Sequence, residues 1–138
     1  MEPLETTHVV SAIVVVAASL FLLGLGAVSI LQPAQAKRFL RAFASSAGAH
    51  YTEQALRLLV GAAMVNYSPR MWQPDAFRVF GWILVVTALG LILTPWRWHH
   101  QFAVRTVPAA LRRLKLIAVG SFLLGGLILY SVLRSLPA

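Results

Sequence analysis

The stretch "AHYTEQALRLLVG", residues 49–61, decides the fold, because it sets an apolar run directly behind a glutamate, Glu53, and an arginine, Arg57. Carboxylates are scarce in this chain, with Asp and Glu together numbering 4 in 138 residues. If the segment crosses a membrane, the basic residues on either side of it share one face. If it does not, they fall on opposite faces.

Working outward, the composition names the solvent. Hydrophobic residues make up 59% of the chain and charged residues 12%, against about 45–50% and 25% in soluble domains. So apolar a chain cannot cover a water-facing surface, and we expect one transmembrane domain over residues 1–138. The absence of cysteine excludes disulfides, thiol chemistry and cysteine-held metal clusters. A formal charge of +8 could suggest nucleic acid. The bases, however, sit at the ends of apolar runs rather than in one patch, which points to membrane topology and anionic lipid headgroups, with no nucleic acid partner.

Four apolar runs follow. Val9–Leu31 carries no charge and has the length of a spanning helix. The acidic segment before it and the lack of a small-residue cleavage site argue against a cleavable signal peptide. Runs at about Phe77–Thr94 and Leu114–Leu133 are of nearly spanning length. Pro95 and Trp96 close the former, and Pro108 is placed to open the latter as a first-turn proline. The second run, Ala55–Val65, is short and must recruit flanking residues to cross, giving a span of about 51–68.

Lysine and arginine beside membrane helices stay on the cytoplasmic side. With four spans, Lys37, Arg38 and Arg41 join Arg97, Arg105, Arg112, Arg113 and Lys115 on one side. The expectation is therefore an all-α integral membrane protein, a four-helix transmembrane bundle of the bacterial inner-membrane type with both termini non-cytoplasmic. Residues 34–47 place Ala36, Phe39, Leu40, Phe43 and Ala47 on one helical face and Lys37, Arg38, Arg41 and Ser45 on the other. They are expected to form a short interfacial amphipathic helix between spans 1 and 2, ended by Gly48.

Two constellations could carry function. Glu53 and Arg57, at i and i+4, share a helical face and can pair, and His50 at i−3 extends the same face. An ionisable cluster inside a span is a candidate site, although an ion pair at the membrane edge serves equally well as structure. "TPWRWHHQF", residues 94–102, combines interface anchors, Trp96 and Trp98, with adjacent histidines, His99 and His100. Phe39 and Phe43 are further anchors. His50, Glu53 and one of His99 or His100 could meet in space, but their spacing is not that of a metal site, and neither metal nor cofactor is expected. Gly24, Gly26, Gly61, Gly81, Gly90, Gly120, Ser121, Gly125 and Gly126 would let spans approach closely or join two copies.

No nucleotide-binding, nucleophile-elbow or zinc-protease motif occurs. Size and hydropathy are similar to those of small multidrug exporters, but their glutamate inside the first helix has no counterpart in Val9–Leu31. The expected function is a non-enzymatic accessory or assembly component acting through helix packing and lipid contacts, with a homo-oligomeric or membrane-protein partner. The alternative is a small oligomeric transporter or channel lined by the His50, Glu53, Arg57 face.

Overall fold

The computed structural model describes residues 3–43 and 45–135, without the side chains of Pro3, Leu4 and Phe43. The expected anchoring by Phe43 thus lies outside the described residues. Helices dominate: α1 (Pro3–Leu31), α2 (Pro33–Phe43), α3 (Ala47–Tyr67), α4 (Pro74–Leu93), α5 (Trp96–Arg112) and α6 (Leu114–Leu133), with a 3-10 turn at Ser68–Arg70 between α3 and α4. Proline sets several of these boundaries. Pro33 and Pro74 occupy first-turn positions, where a missing N–H costs no hydrogen bond.

Among the described residues, three helices are long and apolar enough to cross a membrane: Glu5–Leu31 within α1, Pro74–Leu93 and Leu114–Leu133. α3 is long enough but less apolar, since it carries His50, Glu53, Gln54, Arg57 and Asn66. It nevertheless packs as an equal of the other three. The extensive contacts are α1 with α6, α3 with α4, and α1 with α3. Glycine brings the helices together where backbones meet. A Cβ on Gly61 would stand 2.9 Å from the Gly81 carbonyl oxygen, and one on Gly125 would stand 2.9 Å from that of Ser19. Gly26 likewise faces Phe122 and Ala118. These pairings run antiparallel, because rising residue numbers on one helix meet falling numbers on the other. Gly24, Gly90, Gly120 and Gly126 have open space where a side chain would be, so only part of the small-residue set serves packing.

The core gathers Val15, Ala63, Met64, Tyr67, Phe77 and Ile128. Around it the surface is apolar, with Ile13, Leu20, Val79, Val86 and Leu123 all exposed, the arrangement a lipid solvent permits and water does not.

Three boundaries differ from expectation. Gly48 does not end α2, because Ser46 is the cap of α3: its backbone is extended and its hydroxyl accepts from the Ala49 N–H at 3.1 Å. Pro108 does not open α6, because it lies inside α5, and α6 begins at Leu114. α1 begins at Pro3 rather than near Val9, since nothing between them breaks a helix. The segment after α4, expected as a connection, is the helix α5, with Ala103 and Leu111 buried and Trp98 and Phe102 exposed.

Candidate functional site

Antiparallel packing brings the C-terminal ends of α1 and α4, the N-terminal ends of α3 and α6, and both connecting helices α2 and α5 to one end of the molecule. All the bases from Lys37 to Arg41 and from Arg97 to Lys115 lie there.

Glu53 and Arg57 form the expected pair, with the arginine Nη2 2.7 Å from Glu53 Oε1 and side chains 33% and 30% exposed for Arg57 and Glu53. His50 does not continue that half-exposed stripe. At 3.6 residues per turn, positions three apart are offset by about 60°, and that rotation takes His50 into the interior, where it is 0% exposed. Its Nε2 lies 3.3 Å from the Leu91 carbonyl oxygen. Carbonyls in the last turn of a helix lack an intrahelical donor, so the imidazole supplies one to the end of α4. Since a carbonyl only accepts, Nε2 bears the proton, and Nδ1 is left buried without a partner among the described residues.

Gln54, four residues on from His50, is also 0% exposed. Neither its amide oxygen nor its nitrogen has a hydrogen-bond partner among the described residues. A buried polar group left this way costs about 1–3 kcal/mol. Read in sequence, Gln54 is an unremarkable neighbour of Glu53, and only its helical offset of about 40° from His50 hints at burial.

α5 brings His99 against this cluster. The His50 and His99 rings stand 4.4 Å apart between centroids, tilted by 42°. Burial lowers the His99 pKa from its ordinary value, the nearby His50 lowers it further, and Glu53 partly opposes both. His99 is therefore neutral at pH 7. His100 turns the other way and packs on Trp96 at 4.5 Å, while Trp98 is 69% exposed. His50, Glu53 and His99 are thus neighbours and His100 is not. Among the described residues, no group of three or more His, Asp or Glu is placed to hold a metal ion.

Beside the cluster lies a cavity of about 370 Å³, walled by Phe21, Leu25, Phe39 and Phe102, with Glu53, His99 and Thr106 as its polar residues. Phe39 packs near Phe21, with ring centroids 6.0 Å apart. A second cavity of about 360 Å³ shares Phe21, Leu25 and Phe39 with the first and runs between α1 and α2 past Gly24 and Gln35. The participation of Phe102 and Thr106 was hidden in the sequence because α5 read as a connection. The spacing of Ala103, Val107 and Leu111 at i, i+4 and i+8 was the signal that could have found it. Comparison of the chain with protein-family models, with curated proteins and with solved structures finds no match.

Proposed function

We propose that α1, α3, α4 and α6 cross a bilayer as a four-helix bundle of the bacterial inner-membrane type, with α2 and α5 lying in the cytoplasmic interface and both termini on the far side. The observation that carries this reading is the convergence of both basic amphipathic helices at one end of the molecule, beside helices whose exposed faces are largely apolar. Their cations would meet anionic headgroups. α3 tolerates that setting because Glu53 neutralises Arg57 and His50 is bonded to Leu91. Reporter fusions at residues 45, 73, 104 and 138 should read inside, outside, inside and outside. Opposite sides for 45 and 104 would sink it.

Within that frame we propose a non-enzymatic accessory or assembly component, acting through helix packing and lipid contacts and joined to a second copy or another membrane protein. The buried layer of Val15, Ala63, Met64 and Ile128 favours it over the transporter reading, because the polar groups at the basic end have no continuation through that layer. Proteoliposomes loaded with a pH-sensitive dye should hold a proton gradient as well as empty vesicles do. A protein-dependent leak abolished by Glu53→Gln would favour transport instead.

A further inference from the structure

The paired cavities at the basic end have the walls and polar groups of a binding site. Phe21, Phe39 and Phe102 supply flat apolar walls to the first lobe, and Glu53 and His99 supply its polar edge beside Thr106, whose hydroxyl already donates to the Phe102 carbonyl at 2.9 Å. The second lobe continues past the Phe21 and Phe39 rings to Gly24 without another ionisable residue. Each lobe, about 370 and 360 Å³, falls within the range of small-molecule pockets.

The polar edge selects the head of the occupant. Glu53 Oε1 is taken by Arg57, which leaves Oε2 as an acceptor, and neutral His99 offers one ring donor and one ring acceptor. An anionic head would meet the Glu53 carboxylate. A cationic head would meet Arg57 and the bases of α2 and α5. A hydroxyl suits both partners, donating to Glu53 and accepting from His99, and a ring carrying it suits three phenylalanine walls.

We propose that the two-lobed groove binds a neutral phenol-type lipophile, its ring among Phe21, Phe39 and Phe102, its hydroxyl between Glu53 and His99, and its alkyl chain over Gly24. This goes beyond the accessory role and assumes only that the basic end sits at a membrane edge. Incorporation into nanodiscs tests that assumption separately.

The probes are 4-octylphenol, octylbenzene and octanoate, equilibrated between protein-bearing and empty phosphatidylcholine nanodiscs. 4-Octylphenol should bind saturably above its partition into empty discs, about tenfold more tightly than octylbenzene, the scale of one hydrogen bond. His99→Phe keeps a ring against His50 but removes one of the two hydrogen bonds to the hydroxyl, and should lower that ratio by about threefold while the bond to Glu53 persists. Gly24→Leu enters open space, since a Cβ there meets nothing within 4 Å. It should weaken 4-octylphenol and leave 4-ethylphenol unchanged, a result that does not depend on the fate of the His99 variant. Equal binding of 4-octylphenol and octylbenzene, tighter binding of octanoate, or no excess over empty discs would each overturn the proposal.

Discussion

The two ends of the molecule are built to different standards. At the end formed by the start of α1, the α3–α4 turn and the close of α6, most polar groups find each other, with His8 Nδ1 the exception among the described residues. Asn66 donates to Ser11 at 2.9 Å, Tyr67 and Ser135 hydroxyls meet at 2.9 Å, and the Trp72 N–H donates to Ser131 at 2.8 Å. Most of the core lies towards that end as well. At the basic end, Gln54, the Ser29 hydroxyl and one nitrogen of His50 are buried without partners among the described residues, two cavities open between helices, and α5 makes few contacts with its neighbours. One end holds the helices in register. The other keeps unused hydrogen-bonding capacity, the expected signature of a place where something else binds or moves.

The sharpest way to break this contrast uses two glycines of α4. Gly81 belongs to the tied end, where a Cβ would stand 2.8 Å from Val65 Cγ2 and 2.9 Å from the Gly61 carbonyl oxygen. Gly81→Leu should destabilise by about 3 kcal/mol or prevent folding, because backbone cannot yield. Gly90→Leu, at the basic end with open space, should change stability by less than about 0.5 kcal/mol. Thermal unfolding in detergent reads both, and equal effects would remove the distinction.

A smaller effect, of opposite sign, is expected from the buried amide. Gln54→Leu should stabilise by about 1 kcal/mol, because it removes two polar atoms that have lost water and gained nothing. The same exchange at the tied end, Asn66→Leu, should cost about 1 kcal/mol by stranding Ser11. A loss from Gln54→Leu would mean that the amide is bonded in the membrane-embedded protein.

The smallest effect should come from pH. His99 has its folded pKa held below 6.5 by burial and by His50, so the unfolded chain takes the proton first as pH falls. Stability is then full above pH 6.5 and declines below it, until the folded pKa is passed. Glu53 opposes the shift, while Arg57 and His100 add to it. Unfolding midpoints at pH 7.5 and 5 should therefore differ more for the parent than for His99→Phe.

How much of this was legible in the sequence follows from what one helix can say about itself. The three apolar helices and amphipathic α2 were visible, since length, periodicity and flanking bases are local. So was the Glu53–Arg57 pair, which needs only i, i+4 geometry. The inward turn of His50 and Gln54 was not, because burial depends on where α4 and α5 come to rest. α5 itself was masked by Pro108, usually a helix boundary. Pro108 and Val104, whose carbonyl loses its donor, both sit on the exposed face, where the surrounding solvent can satisfy that carbonyl. Which glycines meet a neighbouring backbone was equally hidden, for it is a property of helix pairs.

The pairing of α1 with α6 also has a consequence for biosynthesis. α1 leaves the ribosome before α6 and waits for it while all of α2 to α5 is made, on the order of ten seconds at roughly 5–20 residues per second. During that interval the face of α1 that will receive Gly125 is without its final neighbour. Ser19, at the centre of that face, already donates its hydroxyl to the Val16 carbonyl within its own helix at 2.7 Å. It can therefore wait in lipid without an unmet donor, and closure by α6 needs no rearrangement of that bond.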